Sequence, residues 1–271
     1  MAQSHRMWAT AVLGVVPAMI LAAALFVPPV AQDPRYHDFA DQRTIWGIAN
    51  FWNVVSNAAF LVTAAVGARV LRSTSAFTED WERTAYCTLL VGTILVAFGS
   101  AYYHLQPNSE TLFWDRLPMT IVFMSLFATT IGERIGMSIG WRSFLPLLLV
   151  GALSVVYWKL SGDLRFYAIV QFYPMLAIPV LLIFRPPRYT AGGGIFAMVI
   201  LYAVAKALEL FDRDLSWFSP AGGHPWKHVV SAAALLCYMA ALGKRRNLGE
   251  LVAHIRSKTN AVRVLPYSRS R

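Results

Sequence analysis

Eight stretches of this chain are apolar for long enough to cross a bilayer, and nothing else in the sequence restricts the fold so strongly. They cover roughly residues 8–30, 45–70, 82–104, 114–133, 142–158, 164–185, 193–212 and 224–243, and about 20 apolar residues suffice to cross a ~30 Å hydrocarbon core. Backbone groups in lipid must be satisfied within the segment, so runs of this length predict helices. The expected fold is an all-α polytopic bundle. The fifth run is short, and the sixth holds Pro174 and Pro179, which neighbouring helices in a membrane accommodate. With 57% apolar and 14% charged residues, against roughly 45–50% and ~25% in soluble domains, a soluble single-domain enzyme is excluded.

The net charge of +10 would ordinarily raise nucleic acid as a partner, but its location decides otherwise. Residues 244–271 carry eight basic residues (Lys244, Arg245, Arg246, Arg256, Lys258, Arg263, Arg269, Arg271) and the single acid Glu250. That segment reads as a tail lying against anionic lipid, with no nucleic-acid partner. Placing the C-terminus in the cytoplasm puts sixteen Lys and Arg in inside segments and seven in outside ones, with Lys206 within a span. The asymmetry predicts both termini inside and an even number of spans. The first run, Trp8 to Val30, reads as an uncleaved anchor, because Pro28-Pro29-Val30-Ala31 makes a poor signal-peptide cleavage site. The expected division is an anchor over 1–31, a seven-helix domain over 32–243 and the basic tail over 244–271. Cys87 and Cys237 sit in apolar runs and read as small buried residues.

Polar groups within spans are expensive and point to function. His104 ends the third run while His224 and His228 open the eighth, so in the predicted topology all three reach the outer face. The spacing of His224 and His228 is i, i+4, which puts both imidazoles on one helix face. Alone, that pair also fits interfacial histidines capping a helix. His104 at matched depth adds a third ligand, and three histidines with an open fourth position are the arrangement of a catalytic zinc site. Ser100 lies one turn before His104 and Asp115 opens the fourth run. Each has a bland alternative: a small residue easing helix contact for Ser100, and an N-terminal cap for Asp115. Together the five suggest a metal-assisted hydrolase, with a carboxylate to move protons and a hydroxyl to steady an oxyanion. A haem or quinone protein accounts for the histidines but not for the serine and the aspartate.

Three further groups stand out. Asn50, Asn53, Ser56 and Asn57 form a polar stripe on the second run, for which interhelical hydrogen bonding is expected. Asp38 and Asp41, at i, i+3 in an outer loop, offer oxygen ligands to a hard cation or are simply solvated. Lys206 and Glu209, also i, i+3, are expected to pair and to support the metal site.

The segment Ile48-Ala-Asn-Phe-Trp-Asn-Val-Val-Ser-Asn57 resembles the opening-helix motif of alkaline ceramidases. Gly99-Ser-x-x-x-His104 with Asp115-x-x-Pro118-Met resembles their second motif, and His224-x-x-x-His228 their last. The resemblance runs over roughly residues 36–243 and places the chain with bacterial-type members of a seven-helix membrane hydrolase superfamily that also includes the adiponectin and progestin receptors. It implies a multi-pass protein of the bacterial inner membrane, with a seven-helix core following one extra N-terminal helix. It implies zinc on His104, His224 and His228, with Ser100 and Asp115 as catalytic residues. The implied reaction is hydrolysis of the N-acyl bond of ceramide or a related lipid to a sphingoid base and a fatty acid. The family's calcium site is also implied at Asp38, Asp41 and Asn50, but the family has Glu where this chain has Asn50, and Arg43 falls near another ligand position. A receptor-like signalling protein with a structural zinc is the alternative, and a transporter or haem carrier a more distant one.

Overall fold

In the computed structural model, which describes residues 2–72 and 76–264, the described residues form nine helices and no named strand. These are α1 (Gln3–Leu25), α2 (Phe51–Arg72), α3 (Asp80–Leu105), α4 (Ser109–Arg134), α5 (Met137–Ser161), α6 (Arg165–Phe184), α7 (Gly193–Leu210), α8 (His224–Lys244) and α9 (Leu248–Val264). The first eight correspond to the eight apolar runs, and the protein is a multi-pass membrane bundle. Seven of them are both long and apolar enough to cross a membrane; α4 is the exception. Its apolar middle is bracketed by Glu110, Asp115 and Arg116 on one side and Glu133 and Arg134 on the other. It nevertheless packs along α3 and α5 and touches α6, α7 pairs with α8, and α2 closes the ring against α3 and α8.

Several helix ends differ from the apolar runs, for local reasons. The second helix starts at Phe51, not near residue 45, because Trp46 (φ 53°), Gly47 (79°) and Asn50 (47°) hold left-handed conformations that a right-handed helix cannot include. Helix α4 starts earlier than its apolar run. The Asn108 side chain accepts from the backbone N–H groups of Glu110 and Thr111 at 2.8 and 3.0 Å, which is how a good N-cap residue satisfies orphan donors. Asp115 therefore lies in the second turn and does not cap the helix. The fifth helix is not short: it spans 25 residues.

Helix α1 lies outside the ring and docks on α6. The Tyr173 hydroxyl donates to the Val12 carbonyl at 2.6 Å, within a wide π-helical turn over Ala11–Val15. Arg165 donates to the Ala24 carbonyl at 2.7 Å, and Trp8 stacks on Phe184.

At the end remote from the histidines, Arg245 corrects the expected tail. It is 7% exposed, pairs with Glu82 at 2.7 Å, donates to the Ala76 carbonyl at 2.6 Å and lies 3.9 Å over the Tyr189 ring. A guanidinium can be buried when its charge and donors are met in this way, so Arg245 belongs to the bundle. Arg256 and Lys258 are exposed on α9, while Arg269 and Arg271 lie outside the described residues.

Candidate active site and metal centre

His104, at the C-terminal end of α3, meets His224 and His228, in the first turns of α8. The ring centroids are 4.9 Å (His104 to His224), 5.0 Å (His104 to His228) and 4.9 Å (His224 to His228) apart. One nitrogen from each lies within 4.8 Å of the others. All three side chains are buried, and among the described residues His104 Nδ1, His224 Nε2 and His228 Nε2 have no hydrogen-bond partner. Buried polar atoms are ordinarily satisfied, so three imidazoles converging with unsatisfied nitrogens fit a metal ion. The donor set suits zinc and other borderline cations.

Three polar contacts hold this trio in place. The Ser56 hydroxyl lies 2.8 Å from His228 Nδ1, which engages that nitrogen and leaves Nε2 for a metal. The Asn50 amide donates to the His104 carbonyl at 2.9 Å, one of the orphan acceptors at a helix C-terminus. Asparagine is among the few residues that tolerate the left-handed conformation this requires. Asp212 accepts from the backbone N–H of His224 at 2.8 Å and from that of Ala40 at 2.9 Å, tying the start of α8 to the loop ahead of α2. The crossing is tight: Gly222 holds φ +74°, and a Cβ there would meet Asp212 Oδ1 at 2.4 Å. We expect Asp212→Ala to lower metal affinity about 10–100-fold, as loss of a supporting partner does, measured by competition with a chromogenic chelator.

Ser100 and Asp115 face each other across α3 and α4, with the Ser100 hydroxyl beside the carboxylate. Gly99 makes this approach possible, since a Cβ at that position would meet the Trp114 carbonyl oxygen at 2.1 Å. Gly99→Ala is expected to force α3 and α4 apart, lowering turnover by about tenfold or more at full metal content, because small misplacements at a reacting centre are costly. Turnover per bound metal tests this.

Ser100, Asp115 and His228 line one end of a cavity of about 340 Å³. From there α4 contributes Asp115 to Leu126, and α6 contributes Tyr167 to Ile178, each a stretch of ~16 Å along a helix. The site end is polar, with Arg116, Lys206, Glu209 and Lys227; the far end is apolar, with Val122, Leu126, Met198 and Leu235. Glu209 pairs with Lys206, as expected, and with Lys227 at 3.3 Å. Burial and the Arg116 charge hold His37, in the loop above, below its usual imidazole pKa.

Comparison with known families decides what this arrangement belongs to. A family profile described as Ceramidase matches residues 41–206, more than half of the chain. The chain belongs to the ceramidase family. Neither the curated proteins nor the solved structures provide a match. Membership implies a hydrolase acting on an amide bond of a lipid. In this ceramidase-family member the matched segment holds Ser100, His104 and Asp115, while His224 and His228 lie beyond it; the fold brings them to the same place.

Each residue considered for calcium has partners within the protein. In Asp41, one carboxylate oxygen accepts from Arg43 Nε at 2.9 Å and the other from the Trp52 backbone N–H at 2.8 Å. Asp38 pairs with Arg213 and accepts from Gln42 at 3.0 Å, and Asn50 holds His104. These three therefore serve the loop, the start of α2 and the end of α3. The polar stripe on α2 is also less uniform than expected. Ser56 bonds across to α8, but the Asn57 amide returns to the carbonyls of Asn53 and Val54 on its own helix, and the Asn53 amide has no partner among the described residues.

Proposed function

We propose that the protein is a zinc-dependent intramembrane amidase that cleaves the N-acyl bond of ceramide or a related N-acyl lipid. The observation that carries this reading is the meeting of three metal-competent histidines with Ser100 and Asp115 at the polar end of a lipid-length cavity. His104, His224 and His228 would hold a zinc ion, which when bound would supply Lewis-acid chemistry at the scissile carbonyl and at a water. The cavity aligns the acyl chain along α4 and α6 and shields the amide from bulk water. Asp115 accepts a proton from the attacking water and delivers it to the departing nitrogen as the C–N bond breaks. Ser100 donates to the oxyanion that forms on the carbonyl oxygen. The products are a free amine and a carboxylate.

The excess of basic residues at the end bearing α9 supports a cytoplasmic C-terminus, with the site near the outer face of a bacterial inner membrane. Lipid mass spectrometry on detergent-purified protein incubated with mixed N-acyl lipids tests the reading. Release of fatty acid and amine, abolished by a zinc chelator and restored by zinc, is the expected result; metal-independent release or none overturns it.

A further inference from the structure

Arg116 is a buried cation that the proposed chemistry does not use. It is 6% exposed, and among the described residues it forms no ion pair within 4.0 Å; Nη2 donates to Gln32 Oε1 at 2.6 Å. Its guanidinium carbon lies 4.2 Å from the centroid of Trp158, 4.6 Å from that of Tyr167 and 5.6 Å from that of Tyr36. Aromatic faces attract a guanidinium but cannot accept its in-plane N–H groups as a carboxylate does. Among the described residues Nη1 is buried without a hydrogen-bond partner, and an unsatisfied donor on a buried charge is costly.

The setting shows what this donor is free to bind. Arg116 lines the cavity next to Asp115, and as i, i+1 neighbours on a helix the two point in different directions. The acids at this end of the cavity are Asp115 and Glu209, the cations Arg116, Lys206 and Lys227. Glu209 already pairs with both lysines, and Asp115 forms no ion pair with Arg116 among the described residues, so the guanidinium is left without a carboxylate. Its neighbours Tyr36 and Gln32 belong to the segment ahead of α2, at the opposite end of the cavity from Leu126, toward which the proposed acyl chain runs. A group held by Arg116 therefore sits on the amine half of the substrate.

We infer that Arg116 reads an oxyanion on the amine half of the lipid, so that the preferred substrate is an N-acyl lipid with an acidic headgroup, carboxylate or phosphate, and not a neutral ceramide. This rests on the amidase reading given above. The aromatic cage fixes the guanidinium plane, Gln32 holds one edge, and the free edge supplies charge-assisted hydrogen bonds to the anion.

The test compares N-palmitoylglycine, C16 ceramide 1-phosphate and C16 ceramide as substrates of the zinc-loaded full chain and of Arg116→Gln and Arg116→Lys. The wild-type protein should turn over one of the acidic lipids with kcat/KM about 10–100-fold above ceramide, the range of a hydrogen bond to a charged group; which one tells carboxylate from phosphate. Arg116→Gln should collapse that ratio towards one, and Arg116→Lys should restore part of it. A wild-type preference for neutral ceramide, or an equal fall on all three lipids in Arg116→Gln, overturns the inference. If no lipid is cleaved by metal-loaded protein, the amidase reading fails, and thermal stabilisation by palmitate and hexadecyl phosphate against hexadecanol still decides this one. Stabilisation specific to an anion and lost in Arg116→Gln supports it; equal stabilisation by all three overturns it.

Discussion

Replacing His228 with alanine should leave the purified protein without its metal and without turnover. A structural zinc site contributes about 10–16 kcal/mol of binding, so one position of four is worth roughly 3 kcal/mol, more than a 100-fold loss of affinity. Here the loss is compounded, because the Ser56 hydroxyl that lies 2.8 Å from His228 loses its partner in a buried site. Elemental analysis of wild-type and variant protein purified side by side makes the measurement. About one zinc per chain in the wild type and little in His228→Ala is expected; full occupancy and full activity in the variant would refute the metal centre.

Asp115→Asn should show the opposite pattern, with metal retained and turnover lost. Asparagine nearly matches aspartate in shape and cannot carry the transferred proton, and removing a positioned general acid–base typically costs about 10²–10⁴-fold in rate. Because Asp115 is not the cap of α4, which Asn108 provides, the substitution spares the start of that helix. The fall should appear in kcat, with KM for the lipid little changed. Turnover within threefold of wild type would show that Asp115 has no part in proton transfer. Taken together, the two variants separate holding the metal from using it, a distinction that a receptor with a structural zinc would not display.

The fold was legible because the apolar runs are long and the polar residues in them few. Helix α4 shows the weak point of that reading: charged residues at both ends lower its hydropathy, and only packing against α3 and α5 makes its place in the bundle clear. The convergence of the five candidate residues was also legible, since His104, His224, His228, Ser100 and Asp115 stand out against an apolar background and share a depth once helix directions alternate. What surrounds them was not. Asp212 supports His224 through the backbone, and Asn50 supports His104 through a left-handed turn, so neither role follows from residue spacing. Gly99 did carry a signal, as a glycine directly before Ser100, but its meaning depends on the approach of the Trp114 carbonyl from another helix. Arg245 was misplaced for a similar reason: a cation next to a basic tail looks like tail until Glu82 and Tyr189 are seen to enclose it.

Helix α4 also bears on how the molecule is built. A charged residue near the middle of a lone span costs about 3 kcal/mol on insertion, and less toward the ends, and this helix carries five charged side chains. Its polar ends are shielded by neighbouring segments, Arg116 by Trp158 of α5 and Tyr167 of α6 and Arg134 by the Leu182 and Arg185 carbonyls, so the favourable route into the bilayer is together with α5 and α6. The three histidines then come together late in biogenesis, when α8 follows more than a hundred residues after His104. A chain truncated before α8 would bury Asp115 while lacking two of the three imidazoles, so the proposed site cannot assemble until the last span of the ring has been made.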